Sequence, residues 1–389
     1  MPDRRSTAPL ERKESSRGLT CPAPWGLPGL IAITASACIP DFEIPTTSGP
    51  CGAPPPVEVS VPPDEWFSHI IEGGTRREAL LLEGPEWNRT LVRNLEVVDV
   101  EGDAIRLKGV SDVWIVDNQI SRCTGAVRLL ATGSTSSVTI ARNTFRQLSG
   151  VGVAALEADG VKHSGLRVLG NRFESVGLSG AQGRSPAALL VATEFLAEAN
   201  SICEAEGGDG IRAGGPGAIR RNSIRNAKRS GVRYNPAEDG FPGPGGKLVI
   251  ENNLAFGTFG ASTFEILGGG PGLAEVEVRF NTGVHFSSRD ATLKVAEGAP
   301  AVSATGNLLA HLLGSSEAVR GPLRLDEANL RVGDLTGFVS GLDPIDLHLL
   351  ATHPARGGAG GVDAPGDDLD GDERPSPDGR VDVGADQSP

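Results

Sequence analysis

Leu166-Arg167-Val168-Leu169-Gly170-Asn171-Arg172-Phe173 carries the pattern on which the fold turns. Leu166 and Val168 alternate with Arg167, as in a strand with one face in a core and one in solvent; the asparagine then marks a corner and Phe173 returns to the core. The same pattern recurs as VTIARNTF around Asn143, VEVRFNTG around Asn281 and VSATGNLL around Asn307. Working outward, Asn94, Asn118, Asn143, Asn171, Asn200, Asn222, Asn253, Asn281 and Asn307 follow one another in steps of 22 to 31 residues. A period in the twenties that admits insertions belongs to a solenoid, because each coil contacts only its neighbours and extra residues leave through loops. Asparagine suits the corner, since it tolerates left-handed backbone angles and its amide can bond the amides of adjacent coils. A second strand follows after a glycine in Gly125-Ala126-Val127-Arg128, Gly210-Ile211-Arg212 and Gly231-Val232-Arg233. Short strands stacked in parallel predict an all-β fold, a right-handed parallel β-helix of about nine or more coils.

Composition agrees. The 389 residues include 53 glycines and 28 prolines, and sustained helical spacing is almost absent, so turns and short strands dominate. A formal net charge of −13 excludes the dense basic face that nucleic-acid binding needs. Aromatic residues make up 4%, with Tyr234 the sole tyrosine, which disfavours an aromatic sugar-binding platform.

The sequence divides into four parts. Residues 1–38 read as an export signal: Arg4, Arg5, Arg12, Lys13 and Arg17 precede an apolar run from Trp25 to Ala37. That run ends Ala35-Ser36-Ala37-Cys38, which resembles a bacterial lipobox with Cys38 as the lipidated residue, although Ala35 stands where leucine is usual. Residues 39–63 form a Pro- and Gly-rich tether, 64–345 the β-helix with its N-terminal cap, and 346–389 an acidic capping tail. Cys123 takes the place of Leu148, Val176, Ala205 and Ala227 in other coils and is expected to be a small buried hydrophobe. Cys203 points the other way, three coils from Cys123, so no structural disulfide is expected, and the cysteines lack the paired spacing of a zinc site.

The asparagine-bearing coils resemble those of the pectin-lyase-like parallel β-helix superfamily. The tail sharpens the resemblance: Asp368-Leu369-Asp370-Gly371-Asp372-Glu373-Arg374-Pro375, then Asp382-Val383-Gly384-Ala385-Asp386-Gln387, is similar to the D-x-D-G-x-x-R-P and D-x-G-A-x-E closing segment of bacterial surface β-helix proteins. Gln387 replaces the final acid. The resemblance implies an extracellular setting and leaves the chemistry open, because such families mix polysaccharide-degrading enzymes with members of other roles. Asp112-Val113-Trp114-Ile115-Val116-Asp117-Asn118 resembles the v-W-I-D-H element of pectate lyases, with Val116 at the aspartate place and Asp117 at the histidine place. The N-x-D and G-H-G elements of pectin hydrolases are absent.

One outward column offers candidate site residues. The position after each inward apolar residue of the second strand reads Arg106, Arg128, Ala154, Leu190, Arg212, Arg233, Glu265 and Lys294. Arg212, Arg233, Glu265 and Lys294 are the candidate catalytic set: an arginine or lysine beside a uronate carboxylate can take a proton while others neutralise the carboxylate. Arg106, Arg128, Tyr234, Asp239 and His285 are candidate substrate-binding residues, Tyr234 and Asp239 because the longest excursion, residues 234–242, leaves the coil there. The competing reading of the column is a solvated ion-pair ladder. No metal ligands or cofactor are expected, though calcium at the tail is possible: Asp368, Asp370 and Asp372 have alternate spacing, but Glu373 and Gly379 break the EF-hand pattern.

The sequence therefore predicts a monomeric protein, secreted or lipid-anchored at a bacterial envelope, that engages extracellular polysaccharide and touches membrane only through its anchor. A lyase or hydrolase of an acidic glycan is one form of that expectation. The alternative is a non-catalytic surface protein serving as spacer or adhesin.

Overall fold

The computed structural model describes residues 52–386, apart from 158–159, 179–185, 240–244, 259, 270–271, 287–289, 313–316, 341–345 and 377–378. The export segment and Cys38 lie outside the described residues. Three parallel sheets of eleven, eleven and ten strands run the length of the chain from His69 to Val332, each strand pairing with its counterpart one coil on. The fold is thus an all-β parallel solenoid. No helix among the described residues is long and apolar enough to cross a membrane.

One coil shows why these residues take this form. Leu166–Leu169 belongs to the first sheet, Arg172–Val176 to the second and Ala187–Ala192 to the third. Leu166, Val168, Phe173, Val176 and Leu189 are buried, while Arg167 faces solvent. Register keeps like above like: Phe145 pairs with Phe173 and their ring centroids stand 4.9 Å apart. Each fully buried side chain of this kind contributes roughly 1.5–3 kcal/mol, so the column is stabilised coil by coil. Val113 and Ile115 are inward and fully buried, as the alternation predicts, and Asp117 faces out to pair with Arg142 at 2.7 Å.

The corners carry a continuous amide ladder with two corrections to the sequence reading. Asn143 Nδ2 donates to Asn171 Oδ1 at 3.0 Å and to Ile115 O at 2.8 Å, and Asn171 Oδ1 also accepts the Asn143 backbone N–H. Equivalent bonds join Asn118, Asn143, Asn171, Asn200, Asn222, Asn253, Asn281 and Asn307, and the ladder continues to Asn329. Asn94 is not a rung. It is exposed, it is the counterpart of Asp117, and the buried Leu95 stands in the ladder position and donates its N–H to Asn118 Oδ1. The left-handed residue, moreover, is the one before each asparagine: Asp117, Arg142, Gly170, Ala199, Arg221, Asn252, Phe280, Gly306 and Ala328 all have φ between 51° and 65°. Asparagine is at the corner for its amide, which supplies a donor and an acceptor where the turning backbone leaves both unmet.

Two further segments lie against the solenoid. Residues 52–63, part of the expected tether, run along the corner between the first and second sheets. Arg142 donates to Val59 O, Arg221 to Pro56 O and Ser201 Oγ to Gly52 O, while Val59 and Val61 pack beside Leu91, Val116, Ala141 and Leu169. The tail packs Leu347, Leu349, Val381, Val383 and Ala385 with Phe256, Phe280 and Leu308. Ala385 N–H donates to Thr282 Oγ1 at 2.9 Å. Asp368 Oδ1 accepts the N–H groups of Asp370 and Asp372, a capping turn, and Arg374 donates to Gly384 O with its guanidinium 5.0 Å from the Phe280 ring centroid.

The cysteines divide in an unexpected way. Cys123 is free and buried, and burial raises its thiol pKa. Cys203 is disulfide-bonded, contrary to the sequence expectation. Cys123 being free, the partner lies outside the described residues. Comparing those two cysteines with each other overlooked the N-terminal strap, whose Gly52 carbonyl meets Ser201 two residues from Cys203.

Candidate functional site

The expected column exists in register, and its middle, from Arg212 to Glu265, is closed. On the third sheet Arg106 pairs with Arg128, Arg128 with Ala154, Ala154 with Leu190, Leu190 with Arg212, Arg212 with Arg233, Arg233 with Glu265 and Glu265 with Lys294. Arg320 extends it by one coil. Ala154 and Leu190 separate the arginines at its two ends. Arg128, 41% exposed, pairs with Asp103 at 2.7 Å, and Arg106 is half-buried.

Arg212, expected to point outward, is 0% exposed; Arg233 is 6% and Glu265 5% exposed. The cause is the excursion after Tyr234. Its short helix Pro236–Asp239 brings Glu238 between the two arginines, with Oε1 3.4 Å from Arg212 Nη1 and Oε2 3.2 Å from Arg233 Nη1. Asn235 holds Glu238 by donating Nδ2 at 2.6 Å. Arg233 Nε is 3.0 Å from Glu265 Oε2, and Lys294 Nζ is 3.2 Å from both Glu265 Oε1 and Asp290 Oδ1. Burial acts against the Lys294 charge, yet Glu265 and Asp290 raise its pKa overall. Asp209, 0% exposed, is the network's remaining acid: burial pushes its pKa up against Arg233, Arg229 and Arg212, and its carboxylate lies 3.7 Å from Arg233 Nη1. The place that a uronate carboxylate would take between Arg212 and Arg233 is held by Glu238.

The residues expected to bind substrate are dispersed. Tyr234 points into the core, fully buried, and its hydroxyl accepts the Leu273 N–H at 2.9 Å. Asp239 closes the helix that carries Glu238. His285, a candidate for substrate binding, is fully buried: Nδ1 lies 3.0 Å from Thr258 Oγ1, and its ring is 5.4 Å from that of His311. Burial, reinforced by His311, brings its pKa down to about 4. Such a group is neutral at neutral pH and has no path to an external substrate.

A cavity of about 420 Å³ opens elsewhere, between the strap at Pro54 and Pro55, the second-sheet residues Arg225 and Thr282, and the tail. The tail wall brings together His348, Asp370 and Asp386, with His348 Nε2 3.2 Å from Asp370 Oδ2 and 3.8 Å from Asp386 Oδ1. Burial pushes the Asp386 carboxyl up to about 7, partly opposed by His348. Sequence reasoning grouped Asp368, Asp370 and Asp372 by spacing and missed this cluster; Asp368 is spent on the turn, and the tail doubles back so that Asp386, the residue after D-x-G-A, comes beside His348 and Asp370.

A polar depression of about 480 Å³ lies on the second sheet, lined by Gln119, Arg122, Thr144, Arg146, Gln147 and Glu174 among others. No protein-family model matches the chain, and no curated protein matches it.

Proposed function

We propose that the protein is a non-catalytic extracytoplasmic surface protein whose solenoid serves as a rigid column. The observation that carries this reading is the burial of Arg212 and Arg233 under Glu238. A lyase needs a basic group and a carboxylate-neutralising cation exposed to the chain it cleaves. Here the only column with that composition among the described residues is neutralised from within. An oxidising compartment is supported by the disulfide at Cys203 and by the export-like pattern of residues 1–38. Association with polysaccharide is a second reading, favoured by the open polar depression on the second sheet, where amide, hydroxyl and guanidinium groups repeat at coil spacing.

The test is direct. Purified full chain, incubated with pectate, alginate and glycosaminoglycans, is expected to give no ultraviolet absorbance from unsaturated uronate. Absorbance that disappears in Glu265→Gln would overturn the non-catalytic reading. Protease shaving of intact cells is expected to release solenoid peptides; their complete protection would argue against the surface location. Retention on a polysaccharide column, weakened by Arg146→Ala, is expected under the second reading.

A further inference from the structure

The geometry points to a divalent cation site, of the first-row transition type, formed by His348, Asp370 and Asp386 on the wall of the cavity between strap, second sheet and tail. One imidazole nitrogen and two carboxylate oxygens lie within 4.8 Å of one another, and no two of the residues are neighbours in sequence. Three ligands around zinc at bond lengths near 2.0–2.1 Å stand about 3.3 Å apart at the corners of a tetrahedron. The two histidine–carboxylate separations, 3.2 and 3.8 Å, bracket that edge, so modest side-chain adjustment would complete the set.

Three observations make this more than a collection of surface acids. The first is the donor set: imidazole with two carboxylates suits zinc, manganese or iron better than calcium, which prefers six to eight oxygens. The second is that Asp386 Oδ2 is shielded from solvent and has no hydrogen-bond partner among the described residues. A buried carboxylate oxygen without a donor is costly, and a cation would relieve the cost. The third lies in the same cavity. Arg225 lines it half-buried, makes no hydrogen bond or ion pair with any described residue, and burial lowers its pKa with no offsetting carboxylate. Three protein ligands would leave a coordination position open, and the cavity of about 420 Å³ that the cluster lines also holds an arginine suited to an anion bound on the metal.

The site would also fasten three parts of the chain. Asp386 follows Ala385, which bonds Thr282 of the second sheet; Asp370 belongs to the Asp368 turn; His348 belongs to the antiparallel strand Asp346–Leu349. A cation joining them would clasp the tail to itself across the cavity mouth.

The experiment uses the full chain, stripped with a chelator and dialysed, then titrated calorimetrically with zinc chloride. Saturable binding at one ion per chain is expected, and cobalt(II) in its place should develop d–d absorption of low-coordinate N/O ligation. His348→Ala and Asp370→Asn alter side chains that are 55% and 46% exposed, so both variants should fold. Each should weaken zinc binding by about tenfold or more. Absence of saturable binding by the unmodified chain would overturn the site, as would zinc affinity unchanged in both variants.

Discussion

Glu238 Oε2 stands 3.2 Å from Arg233 Nη1 while its other oxygen meets Arg212, so one carboxylate from an insertion bridges two arginines of adjacent coils. This relationship turns what reads in sequence as an exposed cationic strip into an internal network. It also reverses the expected outcome of removing Arg233. With Glu265 left to Lys294 alone and buried Asp209 losing its nearest cation, Arg233→Ala should destabilise the fold by about 3 kcal/mol, the lower end of the range found when one partner of a buried pair is deleted. Glu238 is 31% exposed, and Glu238→Gln should cost less, about 1–2 kcal/mol. Chemical denaturation of the two variants checks the order; a fully stable Arg233→Ala protein would show that the network is dispensable.

The asparagine ladder provides an internal control. Asn171 is fully buried, accepts two bonds from Asn143 and donates to Ile140 O and Asn200 Oδ1. Asn171→Ala should destabilise by about 1–3 kcal/mol, because donors and acceptors on both neighbouring coils are left buried without partners. Asn94, exposed and bonded only weakly to Glu72 at 3.3 Å, should lose less on replacement by alanine, about 1 kcal/mol, most of it from the left-handed backbone at φ 54°. Equal midpoint shifts for the two variants would contradict the placement of Leu95 in the ladder.

How far the sequence was legible follows from what each signal encodes. The alternation around Leu166 and Val168 reports which side of a strand is buried, and strand pairing then repeats it coil after coil; register along the column from Arg106 to Lys294 could be counted by hand for the same reason. Burial of that column could not. It depends on where a 12-residue excursion between Tyr234 and Lys247 lays Glu238, a tertiary placement with no period. His285 illustrates the same limit, since a histidine at a corner and one facing the core differ only in the turn geometry. The tail cluster was hidden because Asp370 and Asp386 meet by folding back, and spacing alone favours the nearer Asp368 and Asp372. Asn94 misled through coincidence: it lies one residue short of the ladder, at the left-handed position that asparagine also favours.

The two described cysteines should behave oppositely toward an alkylating reagent. Cys123, 2% exposed among Val97, Val100 and Ile120, should stay unmodified in the native protein and react only on unfolding. Cys203 should be modified only after reduction, and mass mapping without reductant should place it in a cross-linked peptide. Recovery of Cys203 as a free thiol from protein prepared under oxidising conditions would contradict the bond.

The buried histidine pair sets an acid limit on the fold. His285 has its pKa lowered from the usual value of 6.5 to about 4 by burial and by the neighbouring His311, with Asp290 opposing. A depressed pKa means that the unfolded chain binds the proton more readily than the folded one, so stability is complete above about pH 6.5 and declines as pH falls. The decline runs from about pH 6.5 to about pH 4, and a shift of this size corresponds to about 3 kcal/mol lost across that window. The expected observation is a melting temperature that drops between pH 6.5 and pH 4 in the unmodified protein and drops less in His285→Gln, which keeps a polar group near Thr258 without a titrating ring. Identical pH profiles for the two proteins would assign the acid sensitivity to the carboxylates of the ion-pair network and tail instead.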